Sequence, residues 1–281
     1  GVAIVNPASI GQLPSGARLE RIRKSPHYKD GEFQNELETV TMTSDKSFFG
    51  AMYDFLFKSH PNTIPDSIPA IKTDLKRLDQ VADWLVWFGH SSYLIQLSGK
   101  KILVDPVFYK ASPVSFINKA FKGTDIYKPA DMPEIDYLVI THDHWDHLDY
   151  RTAKELKSHV KHVICGLGVG ADFEYWGYGS SQITEMDWGD SVSIGGFKFY
   201  CLPARHFSGR WLSRNKTLWA SFLAESPAQK KLYFGGDGGY GSHFAQIGER
   251  FPEIDLAVLE NGQYDADWRY IHTLPDQLPQ A

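Results

Sequence analysis

Three histidines and two aspartates fall within six residues, His142 to His147, inside the stretch THDHWDHLD at 141–149. Imidazole and carboxylate groups at this density are metal ligands before anything else, because neutral nitrogen and anionic oxygen donors suit zinc and tolerate manganese or iron. In a helix, His142 and Asp146 would share one face and His144 and His147 another. At the end of an extended strand, His142 and His144 point to the same side, since strand side chains alternate. A turn after them can then swing Asp146 and His147 toward a second point, so the spacing predicts two adjacent metal sites rather than an exposed polar loop.

Further ligands must come from other strand ends. His206 follows a strand pattern in CLPARHFSGR, and Asp237 closes KKLYFGGDGGYG. Glycines on both sides of Asp237 let the backbone crowd against an ion or its ligands. A carboxylate there can bridge two ions about 3.5–4 Å apart, as two-metal hydrolases do.

The elements around these residues read as α/β. DWLVWFG, SSYLIQL and KKILVDP are short apolar or alternating runs, the last two joined by Ser98-Gly99 as a hairpin turn. DYLVIT at 136–141 is a buried strand that feeds the histidine cluster, and Asp149 caps the helical pattern that follows. Strands are expected in KHVICG, SVSIGGFKFYCLPA, TLWASFLAE, KKLYFGGD and DLAVLE, with helices near 168–177 and 241–251. Residues 1–80 read as an N-terminal extension packed on a main domain at 81–281, with a helix near 45–59 and a proline-interrupted segment at 60–74.

Composition narrows the function. The 281 residues carry a net charge of −5 and are 42% hydrophobic and 22% charged, which is an ordinary globular balance. No broad basic surface is available for a nucleic-acid backbone, so no nucleic-acid partner is expected. The basic cluster Arg18, Arg21, Arg23, Lys24 and Lys29 reads as a solvated face. Cys165 and Cys201 sit in apolar runs and read as buried thiols. No run of 18 apolar residues occurs. GVAIV at the start is compatible with the end of a removed apolar segment, which leaves cytoplasmic and membrane-associated localisations open.

THDHWDHLD, His206, FGGDGGYG and WFGHSSYLIQLSGKKILVDPVF together resemble the metallo-β-lactamase superfamily. The resemblance runs from about Pro14 to the C-terminus. With YKDGEFQN, RHFSGRWLSRNKTLWASF and IHTLP it looks most like the branch of N-acyl-phosphatidylethanolamine-hydrolysing phospholipase D.

That resemblance implies a four-layer αβ/βα sandwich. It implies His142, His144 and His206 on a first zinc, Asp146 and His147 on a second, and Asp237 bridging them. Asp105, in LVDPVF, resembles an aspartate beneath the ligands that orients an imidazole. His272, in IHTLP, matches a histidine beside the substrate, and His90, in WFGHSS, one kept close to the metals. The family also supplies a further histidine from a strand near its C-terminus. None lies beyond His272, so the last C-terminal elements are expected to be missing here, or else the second site is short of a ligand.

No nucleophile elbow or P-loop is evident, and GLGVG at 166–170 lacks dinucleotide-binding spacing. The expected chemistry is therefore attack by metal-activated hydroxide, with Asp146, Asp237 and His272 as the catalytic groups. Two dications, two ligating aspartates and one hydroxide leave about one net positive charge, which suits an anionic phosphodiester. Trp145, Phe207, Trp211 and Tyr264 could wall an acyl chain, so the expected partner is a small or lipid phosphodiester, with peripheral membrane association compatible with it. Rival readings are a lactone, thioester or cyclic-nucleotide hydrolase of the same superfamily, or a metal-binding protein without turnover. His27, His60, His159, His162 and His243 are read as loop or exposed helix positions without a site role.

Overall fold

The computed structural model describes residues 5–43, 50, 53–54, 57–58, 64–113, 120–261 and 265–281. The expected helix near 45–59, together with His60 and Tyr264, falls wholly or mostly outside them.

In chain order, α1 (Pro7–Ile10) and α2 (Gly16–Ile22) precede a small hairpin of β1 (Tyr28–Lys29) and β2 (Glu32–Phe33). A longer run gives β3 (Trp84–Gly89), β4 (Ser92–Leu97), β5 (Lys100–Val104), β6 (Ile135–Ile140), α3 (Tyr150–Leu156), β7 (Val160–Gly166), α4 (Gly170–Tyr175) and β8 (Ile183–Met186). The rest forms β9 (Ser191–Ile194), β10 (Phe197–Leu202), β11 (Ser221–Glu225), β12 (Lys231–Phe234), α5 (Ser242–Arg250) and β13 (Leu256–Val258).

These strands form two mixed sheets. One has the order β3-β4-β5-β6-β7-β8 and the other β13-β12-β11-β10-β9. In the first, β3 to β5 pair antiparallel and β5 to β8 parallel. In the second only β12 and β13 run parallel. Ser98 and Gly99 both take positive φ, 49° and 73°, in the tight turn from β4 to β5, as a two-residue hairpin requires.

Each sheet is apolar on both faces, which makes four layers. Between the sheets, Ile95, Ile102, Val104, Val139 and Ile164 meet Phe197, Phe199, Phe222, Ala224 and Phe234. Outside the first sheet, Leu103, Leu138, Ile140 and Val163 pack on Leu156 of α3 and Phe173 of α4. Outside the second, Leu223 and Tyr233 pack on Ile247 of α5 and on Phe251. The parallel strand β6 is buried along its whole length and β7 from Val163 onward, with Lys161 and His162 more open at the start of β7. Cys165 and Cys201 are free buried thiols.

The segment before β3 is tied to the sheets by polar contacts. Trp176 Nε1 donates to Ala8 O at 2.8 Å, and Gln12 N–H donates to Asp172 at 2.7 Å. Arg18 departs from the solvated face assigned to its cluster: it bridges Glu174 and Glu185 at 3.0 and 2.8 Å with little exposure. Asn35 pairs with the backbone of His206, donating to its carbonyl at 2.7 Å and accepting from its N–H at 3.1 Å.

Candidate metal centre

All the predicted ligands gather at one edge of the two sheets, at strand ends. β6 delivers Thr141 to His147 on a loop that Asp149 closes by capping α3, accepting from Thr152 N–H at 3.2 Å and the Thr152 hydroxyl at 2.5 Å. His206 follows β10 and Asp237 follows β12. Gly236, at φ +62°, lies so close to Thr141 that an added Cβ would sit 2.7 Å from its Cβ. That absence of a side chain lets the Asp237 loop press against the histidine loop.

His142 Nε2 lies 2.9 Å from His144 Nδ1, and His206 Nε2 lies 3.3 Å from the same atom. Tetrahedral ligands about 2.0–2.1 Å from a zinc ion stand roughly 3.3 Å apart, so this spacing fits three nitrogens of one coordination shell. The protons are held elsewhere. His142 Nδ1 is 3.0 Å from the Thr141 hydroxyl, which itself donates to Asp105 at 2.6 Å. His206 Nδ1–H donates to Ile271 O at 2.8 Å. Burial, reinforced by the neighbouring imidazoles, holds His142 well below its usual pKa and outweighs the opposing carboxylates at His144 and His206. Three neutral imidazoles with lone pairs converging on one point are what a cation needs.

His147 belongs to two further groups of possible ligands, one with Asp146 and His90 and one with His142 and Asp237. His147 Nδ1–H donates to Asp105 Oδ2 at 2.8 Å, which directs Nε2 the other way. His147 Nε2 is buried and 3.1 Å from Asp237 Oδ1, yet makes no hydrogen bond with it. A buried nitrogen and a carboxylate oxygen this close without donor alignment fit a shared ion, since an orphaned buried polar atom otherwise costs about 1–3 kcal/mol. Asp237 also approaches His206 Nε2 at 3.8 Å, which puts it between the two sets. Burial opposes ionisation of Asp237, but His147 and the nearby imidazoles hold its carboxyl well below the usual range.

Asp146 sits at the rim, where His90 Nε2 hydrogen-bonds it at 3.1 Å. His90 adopts a left-handed φ of 44° and its side chain is half exposed. Asp105, at the end of β5, accepts from Thr141 N–H at 2.8 Å as well as from the Thr141 hydroxyl and His147. One carboxylate thereby orients two imidazoles. His272 lies 3.9 Å from Asp237 and donates through Nδ1 to Glu260 at 2.8 Å. Burial alone would lower His272, but the Glu260 and Asp237 carboxylates raise it to about 9.

Sequence reasoning missed several residues. Asp143, in the middle of the motif, is no ligand in this geometry: it accepts from Gly209 N–H at 2.6 Å and the Thr217 hydroxyl at 2.7 Å. Arg210 is buried, stacks 4.1 Å over the Trp145 ring, and donates to Asp143 O and Leu148 O at 2.9 and 2.7 Å. It locks the histidine loop from below. Glu260 follows β13, a position that on its own says nothing of its partner His272. Phe207 packs edge-on against His144 at 4.4 Å, whereas Trp211 is exposed. His243 is buried in α5, not on an exposed helix position. His27 packs on Trp188 and His162 on Tyr137.

Two mixed sheets back to back, helices outside, and two histidine-carboxylate donor sets at one sheet edge define a class of metal-dependent hydrolase. The sequence profile of the β-lactamase superfamily domain matches residues 100–281, and the chain belongs to this metallo-β-lactamase superfamily. An uncharacterised protein of Mycobacterium tuberculosis is 36% identical over 278 residues, covering 98% of this chain and 74% of that protein. N-acyl-phosphatidylethanolamine-hydrolyzing phospholipase D 1 of Caenorhabditis elegans is 35% identical over 215 residues, covering 68% of this chain and 57% of that protein. Among solved structures, an isothiocyanate hydrolase from Delia radicum gut bacteria superposes with a TM-score of 0.51 at 19% identity, covering 70% of this chain and 78% of that one. That likeness is one of fold.

Proposed function

We propose that the protein is a zinc-dependent phosphodiesterase of phospholipase D type, acting on N-acyl-phosphatidylethanolamine-like lipids. The observation that supports the reading is a run of possible ligand groups along one edge, His142 with His144 and His206, and His147 with Asp146 and His90, with Asp237 within 3.1 Å of His147 and 3.8 Å of His206. Two zinc ions held there would supply a nucleophile from water at neutral pH and polarise a phosphoryl oxygen.

The chain's own residues do the rest. Asp105 and Thr141 hold two imidazoles in the tautomers that present Nε2. His272, 3.9 Å from Asp237, would give a proton to the leaving oxygen. Phe207 shields the first donor set, and the same loop carries Trp211 and Leu212 out to solvent at 52% and 91% exposure. An apolar tip next to the centre suits the acyl chains of a lipid and peripheral contact with a membrane. The likeness to the phospholipase D of Caenorhabditis elegans supports the same substrate class.

The test is a substrate panel on zinc-loaded protein: N-acyl-phosphatidylethanolamine, a lactone, a thioester and a cyclic nucleotide. The reading expects release of phosphatidic acid and N-acylethanolamine from the first and at most slow turnover of the others. Preferential hydrolysis of a lactone or thioester would overturn the phosphodiesterase assignment, and no turnover with zinc bound would favour a binding protein.

A further inference from the structure

Glu260 and His272 form a carboxylate-imidazole pair that lies within ligand distance of Asp237 but shares no group with His142, His144, His206, Asp146 or His147. His272 Nδ1–H donates to both oxygens of Glu260, at 2.8 and 3.1 Å. Glu260 Oε1 also accepts the N–H of Gly238 at 2.7 Å, and the Thr273 hydroxyl donates to Gly238 O at 2.6 Å. The backbone of Gly238, next to Asp237, is thus held at its N–H by the partner of His272 and at its carbonyl by the residue that follows His272. Further along the same loop, Gly239 lies so close to Tyr270 that an added Cβ would sit 2.2 Å from its carbonyl oxygen, so this packing admits no side chain. The His272 ring is inclined at 65° to that of His206, 5.3 Å between centroids.

A histidine whose Nδ1–H is taken by a buried carboxylate has a single nitrogen left for chemistry, Nε2, in a fixed orientation. Glu260 stands beside Asp237 and His272, but its own hydrogen bonds do not reach the other proposed ligands. Its hydrogen bonds go to His272 and to the Asp237 loop, so its role is to register one against the other.

We infer that Glu260 is a positioning residue that holds His272 with Nε2 free to protonate the leaving oxygen of the substrate. The inference rests on the phosphodiesterase reading above. In the step, the oxygen of water forms the new P–O bond while the bond to the leaving oxygen breaks. That oxygen takes the proton from His272 Nε2, and the proton released by the attacking water replaces it. Glu260 keeps its hydrogen bond to Nδ1–H throughout.

The test compares two diesters on the zinc-loaded full chain: N-acyl-phosphatidylethanolamine, whose alkoxide needs a proton to leave, and an analogue in which 4-nitrophenolate replaces it and needs none. Glu260→Ala, like His272→Ala, should lose about 10²-fold or more in kcat on the first and less than about threefold on the second, a magnitude typical of general acid catalysis. KM and zinc content should stay unchanged. Glu260→Gln should fall in between, because its amide oxygen can still accept from Nδ1–H. The double variant should be no slower than either single one. Nitrogen NMR of His272 at alkaline pH, where the ring is neutral, should show the remaining proton fixed on Nδ1 in the wild type and exchanging between nitrogens in Glu260→Ala.

Equal losses on both diesters, or additive effects in the double variant, would overturn the inference while leaving the phosphodiesterase reading in place. A wild type that cleaves neither diester would remove both.

Discussion

Asp105 and His147 are joined by a 2.8 Å hydrogen bond with both side chains shut off from solvent, at 1% and 0% exposure. The same carboxylate takes the hydroxyl of Thr141, whose oxygen meets His142 Nδ1. One residue at the end of β5 therefore sets the tautomer of an imidazole in each donor set. Three donors converge on its two oxygens: Thr141 N–H, the Thr141 hydroxyl and His147 Nδ1–H.

Asp105→Asn keeps the shape and tolerates the positive φ of 41°, but an amide offers one acceptor oxygen where the carboxylate offers two. At least one donor then faces an NH2 group. Zinc affinity should fall about 10–100-fold, the usual cost of losing such a supporting partner. Competition with a chromogenic chelator measures it, and an unchanged affinity would show that Asp105 does not orient the imidazoles.

Trp211 and Leu212 are exposed on the loop that begins with Phe207. Replacing both with serine should raise KM for a long-chain lipid diester about tenfold and leave that for a short soluble diester within about twofold. Tenfold corresponds to about 1.4 kcal/mol, below the roughly 1.5–3 kcal/mol of fully burying even one such side chain, as partial contact with a lipid requires. Parallel assays on the two substrates decide the matter, and equal changes would remove the apolar tip from substrate binding.

Asp172 is buried in α4, and burial raises its pKa from 3.8 to about 7 despite the nearby Arg210. Between these values the unfolded chain has lost the proton while the folded one keeps it, so stability falls as pH rises through that window. The contribution is fully present below pH 3.8 and lost by about pH 7. Asp172→Asn does not titrate, so the stability difference between wild type and variant should shift against the wild type by a few kcal/mol across the window and level off on both sides. Urea unfolding at a series of pH values gives this difference, and a flat one would contradict the raised pKa.

The fold and the centre were legible in the sequence to different depths. The period-two spacing of His142 and His144 after a buried strand was enough to bring them together, because a strand end leaves little freedom in where alternate side chains go. Asp149 as a cap and Ser98-Gly99 as a turn were equally local. Arg18 and His243 misled because charge and polarity alone suggest solvent, while their burial depends on distant partners such as Glu174, Glu185 and the strands beneath α5. Arg210 and Glu260 stayed hidden for the same reason. Each is a lone charged residue whose role appears only when the chain brings Trp145, Leu148 or His272 to it.

The claim at the heart of this account is that two donor sets meet at Asp237. Elemental mass spectrometry of zinc-equilibrated protein, wild type beside Asp237→Ala, tests it directly. The account predicts about two zinc ions per wild-type chain, the occupancy of a two-metal centre, and one or fewer in the variant. No bound metal in the wild type, or equal content in both, would contradict it.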